Sequence, residues 1–249
     1  MKYGICNLSI VPVRSEASDK SEQTSQLLYG ETFIILKEKT KWTKIKLCFD
    51  NYIGWINSKQ FEIINEQQFK LLEKDPQIYS YDLVEFIENA NHELIAIPIG
   101  SKLTGLNVFN HNYDGSEISG IQEKSKIIST ALRFLNSPYL WGGRTPFGID
   151  CSGFTQMVYK LNGHKLERDS HLQAKQGSSL SFIEESEPGD LAFFDNKEGE
   201  IVHVGIIMDD NHIIHASGKV RIDRIDQTGI YNSETKSHTH KLRVIKKII

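Results

Sequence analysis

The sequence predicts an α+β protein in which small all-β modules precede helices packed on an antiparallel sheet. Two stretches after Gly120 place apolar residues at helical spacing, and four strand-like runs follow them. Before them, short apolar runs separated by polar turns extend from Ile10 to about Ile64, a pattern typical of a small barrel of short strands. These observations place an all-β region first and an α+β region second.

The same patterns divide the chain into three predicted domains. Residues 1–64 form the first all-β module, 66–118 a second and degenerate module, and 123–249 the α+β domain. The elements expected in the two modules are strands at 32–36, 43–47 and 52–56, a short helix at 81–87, and a strand and turn at 93–103. In the α+β domain, the expected elements are helices at 124–135 and 151–161 and strands at 191–194, 201–208, 212–216 and 241–249.

Composition and charge exclude several classes of protein. The 249 residues carry 29 Lys+Arg against 32 Asp+Glu, and 39% of them are hydrophobic. Since there is no basic run or stripe, we expect no nucleic-acid partner. No apolar run approaches the ~20 residues of a membrane-spanning helix, so we expect no membrane insertion. The oligomeric state is left open.

The cysteines and the N-terminus indicate a compartment. Cys6, Cys48 and Cys151 are widely spaced and form no C-x-x-C pair, which is typical of free thiols in a reducing environment. The chain reaches the polar Arg14 and Ser15 before an export-type apolar segment of about 7–15 residues can form. The sequence as given therefore predicts a cytoplasmic protein, and an upstream signal segment would instead predict a periplasmic one.

Cys151 is a candidate nucleophile because of its predicted place at the start of a helix. Asp150 is a good N-cap for that helix, and a glycine-rich stretch precedes it. Helix N-termini favour a thiolate, since their free N–H groups and dipole stabilise negative charge. The charge of Asp150 opposes this effect, so a base is needed nearby.

His203 and His215 are the candidates for that base and its partner. Alternation along the predicted strand puts His203 and Gly205 on one face, where an imidazole beside a glycine has room for a partner. His215, on the next predicted strand, is placed to orient the ring of His203. Cysteine, histidine and an orienting polar group form the arrangement of cysteine peptidases.

The downstream motifs resemble those of the NlpC-type, papain-like cysteine peptidases of bacterial cell-wall peptides. The resemblance covers about 123–249. Its motifs are Tyr139-Leu140-Trp141-Gly142-Gly143, Asp150-Cys151-Ser152-Gly153, Arg168-Asp169-Ser170, Pro188-Gly189-Asp190-Leu191, His203-Val204-Gly205 and Ile214-His215-Ala216. Residues 27–31, Trp42 and 52–56 resemble the bacterial SH3-like domains attached to such enzymes. Within the family, the chain is most similar to the intracellular γ-D-glutamyl-L-diamino-acid endopeptidases.

The resemblance implies a mechanism without a metal or other cofactor. It makes Cys151 the nucleophile, His203 the base, His215 the orienting group and Tyr139 a phenol donor to the oxyanion. The implied substrate is a peptidoglycan-derived peptide, L-Ala-γ-D-Glu-diamino acid, that has a free N-terminus and is cleaved during wall-peptide recycling.

The resemblance also implies a substrate pocket. Residues expected to line the subsite for the amino end are Asp150, Ser152, Asp169 and Ser170. Trp141 would form an apolar wall, and Tyr52 and Glu31 of the first module would close the site. Whether the diamino acid is meso-diaminopimelate or L-Lys is left open.

Other hypotheses remain at this point. A metal hydrolase would use His203, His212 and His215 with Asp209 or Asp210. A non-catalytic wall-binding module would use only the SH3-like part, and a periplasmic wall-remodelling amidase or endopeptidase would keep the same fold. The histidines expected to be scattered and solvated are His92, His111, His164, His171, His212, His238 and His240.

Overall fold

A computed structural model describes residues 1–74 and 76–249, which form two compact units. The first unit comprises 1–120 together with 141–146, and the second comprises 121–140 and 147–249. Across the described part of the chain, no helix has both the length and the apolar character needed to span a membrane. The predicted α+β class is confirmed, whereas the predicted boundaries of three domains stay a prediction.

Seven antiparallel strands form the main sheet of the first unit, in the order β3-β2-β6-β5-β4-β1-β7. These strands are β1 (Lys2–Ile5), β2 (Ile10–Arg14), β3 (Gln23–Leu28), β4 (Thr32–Glu38), β5 (Trp42–Leu47), β6 (Ile53–Asn57) and β7 (Glu62–Ile64). Their buried core includes Val11, Leu27, Phe33, Ile45 and Ile56. The three strands predicted here are therefore present, each with slightly different ends.

The rest of the first unit has a second core, formed around Tyr29, Ile87, Ile97 and Leu103. Its elements are α1 (Glu66–Leu72), β8 (Ile78–Ser80), β9 (Val84–Glu88), β10 (Leu94–Pro98), α2 (Leu106–Phe109), β11 (Asn112–Tyr113), β12 (Glu117–Ser119) and β13 (Arg144–Thr145). The short helix predicted at 81–87 is wrong, because β9 pairs along its length with β10. This pairing buries Ile87 and leaves Val84 and Phe86 exposed.

The second unit packs helices on an antiparallel sheet ordered β15-β21-β16-β17-β18-β19-β20. Its elements are α3 (Lys126–Leu132), β14 (Gly148–Ile149), α4 (Cys151–Leu161), α5 (Ser170–Gln173), β15 (Ser178–Leu180), β16 (Leu191–Asp195), β17 (Ile201–Ile207), β18 (His212–Ser217), β19 (Lys219–Ile225), β20 (Gly229–Asn232) and β21 (Ser237–Lys247). Because β20 also pairs with β21, the six strands β16 to β21 close on themselves. Both predicted helices and all four predicted strands are present.

Candidate active site

Cys151 is the first residue of α4, as predicted. Asp150 precedes it in an extended conformation, and its Oδ1 accepts a 2.6 Å hydrogen bond from the backbone N–H of Gly153. This bond satisfies one of the free donors at the helix end. The cap therefore fixes where α4 begins and places the thiol at its N-terminus.

The thiol of Cys151 is buried, and its surroundings keep it protonated at rest. Burial raises its pKa to about 12, and the charge of Asp150 acts in the same direction. Backbone hydrogen bonds with Val204 and Ser152 and the charge of Arg168 lower the pKa by smaller amounts. The thiolate preference expected from the helix end is thus outweighed by desolvation. The bond with Val204 also places Cys151 beside the residue that follows His203.

His203 and His215 lie together on adjacent strands, as predicted. Gly205 of β17 pairs with His215 of β18, and Nε2 of His203 lies 2.8 Å from Nδ1 of His215. A Cβ atom on Gly205 would lie 2.8 Å from Cβ of His215, closer than packed carbon atoms approach. Gly205 therefore provides the space that the histidine pair occupies.

His203 is a neutral imidazole in this environment. Its pKa lies well below the usual value, chiefly because of burial and also because of the neighbouring His215 and His240. A neutral ring with one nitrogen bonded to His215 can accept a proton at the other nitrogen. The site therefore combines a protonated thiol with a neutral base.

Asp223 and Arg221 extend the histidine pair, and the sequence analysis assigned neither a role. Oδ2 of Asp223 lies 3.0 Å from Nε2 of His215, and its Oδ1 accepts a 3.0 Å hydrogen bond from Nη2 of Arg221. Both belong to β19, a strand that was not predicted. Alternating apolar and charged residues from Lys219 to Ile225 are the signal that could have revealed it.

His240 is a third residue that was missed, and its expected solvation is wrong. Its ring stacks on that of His203 with centroids 4.2 Å apart and planes 26° apart. Burial, followed by the neighbouring His215, lowers its pKa to about 4. The ring therefore forms a neutral wall beside the base.

Tyr139 lies near the thiol in the second unit. Its backbone N–H donates to the carbonyl of Gly218 at 2.9 Å, and the residue forms a bridge with Ile149. Burial raises its pKa to about 12, and the neighbouring Cys151 and Asp150 act in the same direction. The phenol therefore keeps its proton and can donate a hydrogen bond.

Arg168 links two residues that were predicted to contact substrate. Its Nη2 lies 2.6 Å from Oδ2 of Asp150, and its Nη1 donates to Oδ1 of Asp150 at 3.0 Å and to Oγ of Ser152 at 2.9 Å. All three side chains are buried. Asp169 and Ser170 follow directly and are half-buried at the start of α5. Substrate contact by these four predicted residues stays a prediction.

Glu31 belongs to the first unit, where it pairs with a buried arginine. Its carboxylate binds both terminal nitrogens of Arg144, at 2.9 and 3.0 Å, and accepts from the backbone N–H of Leu28. Arg144 also donates to the carbonyl of Gln26 at 2.7 Å. Glu31 therefore has a structural partner, and its contact with substrate stays a prediction.

Trp141 and Tyr52 are also in the first unit. The indole N–H of Trp141 donates to Glu22 at 2.6 Å, while 61% of the residue remains exposed. Gly142 follows with a φ of +73°, and a Cβ there would lie 2.4 Å from the carbonyl oxygen of Gln23, so only glycine fits. Tyr52 packs against the core of the main sheet. The roles predicted for Trp141 and Tyr52 stay predictions.

The described residues hold no group of three or more His, Cys, Asp or Glu side chains placed to bind a metal ion. His212 and His215 alternate along β18, with His215 hydrogen-bonded to His203. The donors named in the metal-hydrolase hypothesis are therefore not gathered at one point.

A buried cysteine at a helix N-terminus, beside two adjacent strands that each carry one histidine of a hydrogen-bonded pair, defines a papain-like cysteine hydrolase. The chain belongs to the NlpC/P60 family, whose model matches residues 136–242. A model described as the bacterial dipeptidyl-peptidase SH3 domain matches residues 13–61. Both parts of the predicted resemblance are therefore confirmed.

Known relatives match most of the chain. A γ-D-glutamyl-L-lysine dipeptidyl-peptidase of Bacillus subtilis is 30% identical over 84% of this chain and 78% of its own length. Dipeptidyl-peptidase 6 of Lysinibacillus sphaericus is 24% identical over 83% of this chain and 86% of its own. The crystal structure of an NlpC/P60 family protein from Bacillus cereus has a TM-score of 0.81 at 18% identity and covers 99% of both chains, which shows the shared fold. The protein is a cysteine peptidase and thus a hydrolase.

Proposed function

We propose that this peptidase hydrolyses the bond between γ-D-glutamate and the diamino acid of peptidoglycan-derived peptides that carry a free N-terminal L-Ala. One structural observation supports the chemistry above all others: the 2.8 Å contact between His203 and His215, beside the buried Cys151. The substrate class rests on the names of the relatives, two of which are γ-D-glutamyl-L-lysine dipeptidyl-peptidases.

In the proposed first half-reaction, His203 takes the proton of the Cys151 thiol as the sulfur attacks the γ-D-glutamyl carbonyl carbon. A C–S bond forms, and the carbonyl oxygen becomes an oxyanion that accepts a hydrogen bond from the Tyr139 phenol. The His203 imidazolium then gives its proton to the amine of the diamino acid as the C–N bond breaks. Loss of one oxyanion donor costs ~10²–10³ in rate, which is the effect we expect for Tyr139→Phe.

In the second half-reaction, His203 takes a proton from water while the water oxygen attacks the thioester carbonyl. The C–S bond breaks, and the sulfur recovers its proton from His203. L-Ala-D-Glu leaves with a new carboxylate. Because His215 holds the imidazole throughout, the same ring serves as base and acid in both halves.

The proposed pocket for the amino end of the substrate contains Asp150, Ser152, Asp169 and Ser170. Acidic and hydroxyl side chains suit an ammonium group and a short amide. Trp141 is proposed as an apolar wall, and Tyr52 and Glu31 as the residues of the first unit that exclude longer peptides. We further propose that the protein works in the cytoplasm and recycles wall peptides.

The test uses four peptides: L-Ala-γ-D-Glu-L-Lys, its meso-diaminopimelate counterpart, and the N-acetylated form of each. Mass spectrometry under reducing conditions should detect L-Ala-D-Glu only from the free-amine peptides. Cleavage of the acetylated forms would contradict the amino-end pocket, and cleavage of none would contradict the proposed substrate.

Cys151→Ala should abolish turnover while the protein still binds the peptide. Cys48→Ala is the matched control, because this half-buried thiol lies in the first unit and should be dispensable. Turnover by Cys151→Ala comparable to that of the control would refute the thiol mechanism.

A further inference from the structure

A line of hydrogen bonds continues beyond the histidine pair. His203 contacts His215, His215 contacts Asp223, and Asp223 accepts from Arg221. The contacts are 2.8, 3.0 and 3.0 Å long. His215, Asp223 and Arg221 lie on one face of paired strands, since His215 is opposite Arg221 in the register and Asp223 is two residues further along. All four side chains therefore lie on strands of one sheet, and none of them lies in the loop between β18 and β19.

The chemistry of Asp223 sets the direction of these hydrogen bonds. Burial raises the pKa of Asp223, but the hydrogen bonds from His215 and Arg221 outweigh it, so the pKa lies below its usual value. An ionised carboxylate only accepts hydrogen bonds, so Nε2 of His215 must carry the proton. A neutral His215 then has an accepting Nδ1, and His203 must donate from Nε2. The remaining nitrogen of His203, Nδ1, therefore has its lone pair available.

The reverse arrangement would disable the base. If His215 carried its proton on Nδ1, it would donate to Nε2 of His203, and a neutral His203 would then hold its own proton on Nδ1. That nitrogen could no longer take the proton of a thiol. Arg221 opposes this reversal because its permanent positive charge keeps Asp223 ionised.

We propose that Asp223 is a positioning residue which, through His215, fixes the tautomer of His203 and keeps Nδ1 of His203 available to the thiol of Cys151. The carboxylate has a second effect: it stabilises the His203 imidazolium that forms when the thiol loses its proton, as an acidic residue does behind a catalytic histidine. This inference rests on the roles proposed for Cys151 and His203.

Other titratable or charged groups also face this line. They are Cys151 of α4 with its neighbours Asp150, Arg168 and Tyr139, His240 of β21, and Glu234, which lies 3.4 Å from Arg221. His240 is neutral in the folded protein at neutral pH because its pKa is about 4. Asp223 is therefore the charged group that contacts His215 directly.

The test measures how fast iodoacetamide alkylates Cys151 at different pH values. The tryptic peptide 145–160 contains Cys151 as its single cysteine, so mass spectrometry reads this thiol separately from Cys6 and Cys48. Asp223→Asn should lower the rate at pH 7 by about tenfold or more and move half-maximal alkylation up by about one pH unit. Asp223→Glu, which keeps the charge, should restore much of the rate. A purely structural role would change the melting temperature and leave this pH profile in place.

Asp226→Asn is the matched control, because Asp226 is a half-exposed carboxylate that also pairs with a histidine, His238. Its profile should overlay that of the wild type. If Asp223→Asn does not fold, Arg221→Gln should give a smaller shift in the same direction. If Asp223→Asn folds and its pH profile of Cys151 alkylation overlays that of Asp226→Asn, the proposal is overturned. An Arg221→Gln variant whose alkylation profile is not shifted overturns it as well. Since alkylation requires no peptide, failure of the proposed substrate would appear separately, as absent turnover by the wild type.

Discussion

Each unit of the molecule buries an arginine against a carboxylate, and the two pairs differ in what surrounds them. In the first unit, Arg144 is fully buried and donates hydrogen bonds to the carboxylate of Glu31 and the backbone carbonyl of Gln26. In the second, Arg168 is 2% exposed and binds Asp150 on one side of the thiol of Cys151. The first pair joins two segments of the first unit that are distant in the sequence. The second pair also changes the pKa of the Cys151 thiol.

Glu31 and Asp150 could not be told apart from the sequence as ligands of substrate or as partners of another side chain. Both acids were predicted to belong to the substrate site, Asp150 in the subsite for the amino end and Glu31 in the part that closes the site, and each has an arginine partner in the structure. Glu31 lies 113 residues from its partner, and Asp150 lies 18 residues from its own. An acidic residue therefore indicates a cationic partner without indicating whether that partner is a ligand or a distant side chain.

The largest expected effect comes from breaking the pair in the first unit. Arg144→Met leaves the buried carboxylate of Glu31 without the two hydrogen bonds from the guanidinium, and we expect a loss of about 3–5 kcal/mol in the free energy of unfolding. Tryptophan fluorescence in urea measures this loss, because Trp42, Trp55 and Trp141 all lie in the first unit. Arg144→Met/Glu31→Met should recover most of it. A single variant as stable as the wild type would contradict the structural role of the pair.

Breaking the pair in the second unit should cost less stability and affect the thiol. After Arg168→Met, Asp150 still accepts from Gly153 and Ser152, so we expect a loss of about 1–3 kcal/mol. Hydrogen exchange of peptides covering β17 measures it. Alkylation of Cys151 should also move to higher pH, because the charge of Arg168 lowers the thiol pKa. Lys165→Met, which removes a neighbouring exposed cation, is the control. If Arg168→Met and Lys165→Met gave the same pH profile of Cys151 alkylation, the pair in the second unit would have no effect on the thiol.

The buried histidines should make the second unit less stable in acid. The folded unit keeps His240 neutral until its pKa of about 4, whereas the unfolded chain takes up a proton below about 6.5. The contribution of neutral His240 to the free energy of unfolding is therefore fully present above about pH 6.5, and it is lost as the pH falls towards 4. Because His240 is partly exposed, we expect its share between pH 7 and pH 5 to be roughly 1 kcal/mol. Hydrogen exchange should show a weaker pH dependence in His240→Phe, and an unchanged dependence would refute this assignment.

The smallest effect should come from an ion pair on the surface. Lys2 and Glu38 lie 2.5 Å apart with both side chains largely exposed. Lys2→Met should change the free energy of unfolding by less than about 1 kcal/mol, because water and salt screen exposed charges. The urea midpoint read by tryptophan fluorescence tests this. A loss as large as that in Arg144→Met would show that burial is not what distinguishes the pairs.

The sequence predicted the elements whose signals are local. Helix α4 has an N-cap at Asp150 and apolar residues at helical spacing, so its start and end could be placed. Strand β17 has a clear apolar run. At 81–87 a short helix was predicted, although the segment forms the strand β9 over Val84–Glu88. Pairing with β10 decided that segment, and such pairing is invisible in the local pattern.

In the candidate site, too, the residues that lie in local motifs could be predicted and those placed by distant contacts could not. Cys151, His203 and His215 could be predicted because each lies in a short motif. His240 sits among polar residues near the start of β21, so nothing local marked it as the ring that stacks on His203. Asp223 and Arg144 were missed because their partners are set by sheet register and by contacts between distant residues.

The six residues 141–146 belong to the first unit although the chain on both sides of them belongs to the second. The first unit is therefore not a single stretch of gene. A fragment ending at 120 would contain Glu31 but lack Arg144, the arginine that binds its carboxylate. An exchange of the front of this protein for that of a relative would keep the ion pair only if it carried both the segment with Glu31 and residues 141–146, or a compatible charge at each position. A complete copy of the first unit therefore requires two separate stretches of sequence.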